Sequence, residues 1–170
     1  MEAAIVASKK GHDVILCEKS DRLGGLLNIV EKESFKKRIG AYKRYLERML
    51  SRSAVDVRLN TEVTPELIDE LEVDYVIAAV GGHAVVPPVK GVEKAIPIID
   101  YYKYEPELGE NVLVMGGGFA GVECAIGLAL AGKKATVVEM SDAIASGPNT
   151  PYPGTGALQI DALWTNVKKN

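Results

Sequence analysis

A chain of 170 residues fits one ordinary domain or two small ones, and 47% hydrophobic with 25% charged residues is the composition of a soluble globular protein. A net charge of −3 argues against a general nucleic-acid binder, and no apolar run is long enough to span a membrane. The opening MEAAIVASKKGHDV carries its acid first and its lysines after the apolar stretch, the wrong order for a signal peptide, and two cysteines far apart in sequence read as buried thiols of a cytoplasmic protein.

The first ten residues read as a helix closed by Gly11, and Asp13 to Cys17 as a strand ended by Glu18. Next comes SDRLGGLL, where Gly24 and Gly25 mark either a plain turn or a place where backbone approaches something closely. Glu33 to Ser51 has Phe35, Ile39, Tyr42, Leu46 and Met49 at helical spacing, so these face a core. Its many Lys and Arg residues are punctuated by acids and read as a solvated face. Val55 to Leu59 reads as a strand, and Thr64-Pro65-Glu66 starts a short helix with threonine as cap. Asp74 to Gly82, DYVIAAVGG, reads as a buried strand ending in a glycine turn, and Pro87, Pro88 and Gly91 signal an irregular connection. From Val92 to Glu110 no strong periodicity appears, and Tyr101, Tyr102 and Tyr104 read as surface cover.

Asn111 to Met140, NVLVMGGGFAGVECAIGLALAGKKATVVEM, organises the rest. Val112 to Met115 is a short apolar run that reads as a buried strand. Gly116, Gly118 and Gly121 follow in the pattern G-x-G-x-x-G, Phe119 to Ala131 reads as a buried helix capped by Gly132, and Ala135 to Val138 as a second strand ended by Glu139. In such a unit the first glycine allows the tight turn, the second leaves backbone open to a pyrophosphate, and the third lets helix pack on strand. The helix N-terminus then faces the phosphates. Glu139 lies 139 − 121 = 18 residues past the last glycine, where an acid accepts hydrogen bonds from an adenosine ribose and repels a 2′-phosphate. Met140 to Ser146 offers no Arg or Lys to such a phosphate, so the unit reads as NAD-binding in preference to NADP-binding. A β-α-β turn that binds no nucleotide is the bland alternative.

The first twenty-one residues repeat this unit at a shift of 121. Glu2, Ala4, Ile5, Gly11, Glu18, Ser20 and Asp21 fall on Glu123, Ala125, Ile126, Gly132, Glu139, Ser141 and Asp142. The expectation is that the sequence begins inside a dinucleotide-binding unit whose first strand and phosphate loop lie elsewhere. A helix starting at a native Met1 is the alternative. Without that strand the first sheet should hold an open slot with apolar walls. Glu18 alone reads as a solvated acid, and the repeat turns it toward a ribose. Ser146 to Gly156 reads as a Pro/Gly-rich loop, and Ala157 to Lys169 as a helix with Trp164 partly buried. Cys17 and Cys124 make no C-x-x-C and read as structural thiols, His12 and His83 as structural, and no metal-ligand spacing or nucleophile motif appears.

On CEKSDRLGGLL, RLNTEVTPELI, DYVIAAVGG and VLVMGGGFAGVECA the sequence resembles flavoproteins of the pyridine nucleotide–disulfide reductase type. Within them it is most similar to the C-terminal region of NADH:flavin oxidoreductases of the 2,4-dienoyl-CoA reductase, 2-enoate reductase and trimethylamine dehydrogenase group. The resemblance runs from Met1 to about Met140. It implies that Glu18 and Lys19 line the FAD adenosine, that Gly24, Gly25 and Leu26 form the turn near its pyrophosphate and flavin, and that backbone at Val63 meets the adenine. Gly81 matches the end of an A-T-G turn, although Val80 stands where that motif has threonine. Gly116, Gly118, Phe119, Ala120, Gly121 and Glu139 match an NADH site. Glu123 matches an acid beside the nicotinamide, and an acid favoured by the helix dipole is an equal reading. In that group FMN and an iron–sulfur cluster lie on other parts of the longer polypeptide.

The expected fold is α/β, with two Rossmann-like dinucleotide-binding units of three layers and mostly parallel sheets, both incomplete. Residues 1–90 form a partial FAD unit lacking its first strand and phosphate loop, 91–110 a connection, and 111–170 a C-terminally truncated NAD unit. The expected cofactors are FAD and NAD, and the expected partners NADH, a flavin and the remainder of a parent polypeptide, with a second copy of the chain left open. The expected activity is transfer of hydride from NADH to flavin. A fragment that binds NAD without catalysis is the alternative, and no residue is assigned a general acid or base role.

Overall fold

The structure is a computed structural model, and it describes residues 1–145. The loop expected at 146–156 and the helix expected at 157–169 lie outside the described residues. The chain divides into two compact units, Met1–Val85 and Val86–Asn170.

In the first unit, helix α1 (Glu2–Lys9) leads into strand β1 (Ile15–Cys17), short helix α2 (Leu27–Val30), helix α3 (Lys37–Leu50), strand β2 (Asp56–Arg58) and helix α4 (Pro65–Glu70). β1 and β2 pair in parallel, Ile15 opposite Asp56 and Cys17 opposite Arg58. Ala4 and Ile5 of α1 and Leu46 and Leu50 of α3 form the core, with Val14, Leu16, Val55 and Val57 packed against it. Alternation along a strand puts these valines and Leu16 on one face, so α1 and α3 cover the same side of the sheet. Burying Leu46 or Leu50 contributes roughly 2 kcal/mol each. Thr64 caps α4 as expected: its Oγ1 accepts the Leu67 N–H at 3.3 Å, and Pro65 opens the helix.

Tyr42 departs from the core-facing reading of its helix. It is half exposed and stacks on Tyr45 with ring centroids 6.3 Å apart. The seam of α3 runs through Gly40, Leu46 and Leu50 instead, the three buried residues of that helix. The larger departure is at 74–82. These residues form no strand, and Tyr75 (92% exposed), Ile77 and Val80 stand in solvent. Strand propensity is realised only through a neighbour that takes up the backbone groups. No strand among the described residues pairs with this run, and β1 pairs only with β2. Among the described residues the first sheet is therefore open on its β1 edge.

In the second unit, helix α5 (Ile98–Tyr104) precedes strand β3 (Asn111–Met115), helix α6 (Phe119–Leu130) and strand β4 (Lys134–Val138). β3 and β4 pair in parallel in register from Asn111 opposite Lys134 to Met115 opposite Val138. A right-handed β-α-β crossover is the usual way to connect two such neighbours. Val122, Cys124, Ala125, Ile126 and Leu128 of α6 are buried, as its uniformly apolar sequence requires. β3 is less buried than expected, since residues alternate between half-buried and exposed and Leu113 and Met115 lie open. A parallel sheet is buried only when helices cover both faces, and these alternating exposures leave one face of β3 and β4 uncovered among the described residues. Sequence periodicity missed α5. Its seven residues follow Pro97, whose fixed φ suits a helix start, but they are too few to show a period. Tyr101 and Tyr102 of α5 are half-buried with centroids 5.0 Å apart, while Tyr104 is exposed.

Candidate functional site: a glycine loop and two clasped acids

The loop between β3 and α6 is built by three glycines with three physical requirements. Gly116 has φ +104°, the left-handed region that glycine enters without penalty. Gly121 packs so closely that a Cβ there would overlap the Gly116 carbonyl oxygen. At Gly118 a Cβ would meet nothing within 4 Å, so the backbone at the start of α6 faces open space. Phe119 and Ala120 follow as the first two residues of the helix. The unpaired N–H groups of that first turn, with the positive end of the helix dipole, suit a phosphate.

Gly117 is the residue that the fingerprint pattern passed over. A Cβ there would lie 2.8 Å from Glu139 Cβ, and its N–H donates to Glu139 Oε2 at 2.6 Å. The other carboxylate oxygen, Oε1, accepts the Ser141 N–H at 2.9 Å. The acid at the end of β4 is thus held against the glycine loop from both sides. The N–H of Ser141 first, then that of Gly117, hold its carboxyl below the ordinary carboxylate value. A depressed folded value means the clasp is intact above the unfolded carboxylate range and is lost as pH falls through the folded one. Glu139 therefore stays anionic at neutral pH and carries the negative charge the ribose reading needs. Glu123 sits fifth in α6, and no acid occupies the first turn. The dipole effect fades within that turn, so the helix-start account of Glu123 loses its footing.

The repeat seen in sequence recurs as geometry. Glu18 Oε1 accepts the Ser20 N–H at 2.8 Å, as Glu139 does from Ser141. Ser20 Oγ donates to the Arg22 carbonyl at 2.8 Å, and Ser141 Oγ to that of Ala143 at 3.0 Å. Gly11 (φ +88°) and Gly132 (φ +82°) close their helices with matching bonds, His12 N–H to Ala7 carbonyl and Lys133 N–H to Leu128 carbonyl.

Around Glu18 the structure gathers part of the expected set. The loop after β2 is tied to it, with Thr61 N–H on the Glu18 carbonyl and Asn60 N–H on the Ser20 carbonyl, both at 2.9 Å. Val63 follows in that loop and is exposed, as is Lys19. Gly24 (φ +109°) and Gly25 (φ +49°) form the next turn, with Leu26 exposed beyond it. Gly81 (φ +75°) turns as expected but lies in the unpaired run, with nothing within 4 Å of its Cβ position. Cys17 and Cys124 are both free thiols. No helix among the described residues is long and apolar enough to cross a membrane.

Two pairs of parallel strands, one pair joined across a glycine loop, with an acid after β1 and after β4, make a mixed α/β protein consistent with a Rossmann-like flavoprotein fold. Known proteins agree with that class. The family model for pyridine nucleotide-disulphide oxidoreductases matches residues 1–153, and the chain belongs to that family. Its flavoproteins use FAD and NAD(H). The chain is 42% identical over 151 residues to an NADH oxidase of Thermoanaerobacter brockii, covering 85% of this chain and 23% of that protein. It is 41% identical over 148 residues to a bilirubin reductase of Mediterraneibacter gnavus, covering 85% of this chain and 23% of that one. A solved 2-naphthoyl-CoA reductase superposes with a TM-score of 0.85 at 27% identity, over 98% of this chain and 25% of that one. The chain thus spans about a quarter of the length of these relatives.

Proposed function

We propose that the chain is the FAD- and NADH-binding portion of an oxidoreductase that passes hydride from NADH to a flavin. The observation that carries this reading is the acid–serine clasp built twice, 121 residues apart, once beside an intact glycine loop. In the second unit Gly116, Gly118, Phe119, Ala120 and Gly121 hold the NADH pyrophosphate, Glu139 the adenosine ribose, and Glu123 lies toward the nicotinamide. In the first unit Glu18 and Lys19 hold the FAD adenosine, Val63 the adenine, and Gly24, Gly25, Leu26 and Gly81 the remainder. The residues present fit such groups: backbone at Gly118 is open, and both acids are pre-oriented by their serines.

The cofactors, when bound, supply the hydride chemistry. The chain supplies position and charge. Relatives named for bilirubin and cinnamate reduction favour an unsaturated acceptor in the whole protein. Two free thiols fit a reducing, cytoplasmic setting. A second reading, a non-catalytic fragment that binds NAD alone, is favoured by the unpaired edge of β1, where no strand among the described residues completes the first sheet.

Titration with NADH and NADPH, followed by nicotinamide fluorescence, tests the proposal. Saturable NADH binding with NADPH at least about tenfold weaker is expected, since like charges at one ribose disfavour binding by that order. Equal binding of both would remove the assigned role of Glu139.

A further inference from the structure

The turn carrying Gly24 and Gly25 has two consecutive left-handed residues and few side chains of its own to hold it. Leu23 just before it packs against the core, and a polar tie comes from Asn28, whose Nδ2 donates to the Leu23 carbonyl at 2.9 Å. Asn28 Oδ1 in turn accepts from Lys43 Nζ of α3 at 2.7 Å. An ammonium has only donors, so it dictates which end of the Asn28 amide faces it and which end is free for Leu23. Lys43 is itself anchored by an ion pair to Glu31, both side chains being largely buried, at 13% and 21% exposed. Arg44 reaches the same carboxylate at 3.8 Å.

Two glycines make room for this cluster. A Cβ at Gly40, inside α3, would lie 2.5 Å from Glu31 Oε2, and one at Gly24 would lie 2.9 Å from Lys43 Cδ. Gly40, the fourth residue of α3, leaves the space that the Glu31 carboxylate enters. A partly buried ion pair is in itself weak evidence of a stabilising role. Here the pair also orients an amide that bridges Lys43 to the Leu23 carbonyl at the start of the glycine turn.

We infer that Lys43 is a positioning residue: paired with Glu31, it fixes the Gly24–Gly25 turn through Asn28 and so presets the backbone that meets the flavin cofactor. The geometry of the clamp is independent of any ligand. Its consequence for FAD rests on the reading given under Proposed function. Lys43→Met keeps length and apolar stem and removes the donors. Asn28→Asp keeps an acceptor for Lys43 and removes the donor to Leu23. Lys43→Arg restores donors to both partners.

Hydrogen exchange of the Leu27 and Asn28 amides, which close the turn onto the Gly24 and Gly25 carbonyls, reads the clamp directly in the whole chain. Lys43→Met and Asn28→Asp should each speed their exchange at least tenfold, with the α3 amides changed less than threefold, and Lys43→Arg should restore protection. FAD affinity of the flavin-loaded protein should fall at least tenfold in the first two variants and recover in the third. Unchanged exchange in the turn, or an equal rise throughout α3, would overturn the clamp. Faster exchange in the turn with unaltered FAD affinity would leave the clamp standing and remove the turn from the flavin site. Should Lys43→Met fail to fold, Asn28→Asp gives the same two readouts without breaking the ion pair.

Discussion

Gly121→Ala is expected to destroy the NADH site and much of the stability of the second unit. The new methyl would overlap the Gly116 carbonyl oxygen, a backbone atom that cannot rotate away. Relief requires α6 to lift from β3, and α6 supplies Val122 and Ile126, the two most deeply buried side chains among the described residues. Overpacking against backbone in such a place costs about 3 kcal/mol or more, at the severe end for single substitutions. Urea unfolding should show this loss, and NADH affinity should fall by at least about 100-fold, the equivalent of roughly 2.7 kcal/mol. Gly118→Ala is the matched control. Its φ of −66° is ordinary and no atom lies within 4 Å of the added methyl, so stability should fall by no more than about 1 kcal/mol, the cost of alanine at the N-cap. Nucleotide binding should still weaken, because the methyl stands where phosphate approaches. If Gly118→Ala bound NADH as well as the parent chain, the loop would not be a phosphate cradle.

Glu139→Gln should remove the discrimination between NADH and NADPH. Glutamine carries no charge and keeps its single carbonyl oxygen for one of the Gly117 and Ser141 N–H groups, while its NH2 end faces the other. Glu139 is half-buried, so its repulsion of a 2′-phosphate is partly screened and should weaken as salt is raised. The preference for NADH is expected to drop from about tenfold to near unity, mainly through tighter NADPH binding. Glu18→Gln should leave both affinities unaltered, because its clasp belongs to the first unit. A preference for NADH that survived Glu139→Gln would place the selection elsewhere.

Much of the fold and of the site is legible in the amino-acid sequence wherever local chemistry alone decides. The glycine spacing, the Gly11 and Gly132 caps, the Thr64 cap and the acids ending β1 and β4 all depend on residues close in sequence. The repeat at 121 residues is also readable, and it emerges again as paired hydrogen bonds. What the sequence conceals depends on neighbours. DYVIAAVGG has strand composition but no strand beside it among the described residues, so it stays open. Val112 to Met115 reads as buried, yet burial requires a second layer that composition does not announce. Gly117 escapes because the pattern treats it as a free position, although it abuts Glu139 from 22 residues away. Lys43 escapes for the opposite reason. In a run of basic residues on an amphipathic helix nothing distinguishes the one that turns inward. Gly40, three positions earlier on the same helix, marks only where Glu31 enters.

The most direct test of the account is a map of amide chemical-shift changes when NADH is added to the isotope-labelled chain. The account predicts saturable shifts concentrated at Gly116, Gly117, Gly118, Phe119 and Ser141, with the Glu18–Ser20 clasp undisturbed. Shifts centred on Glu18 and the Gly24–Gly25 turn, or none at the β3–α6 loop, would contradict the assignment of the second unit as the NADH site.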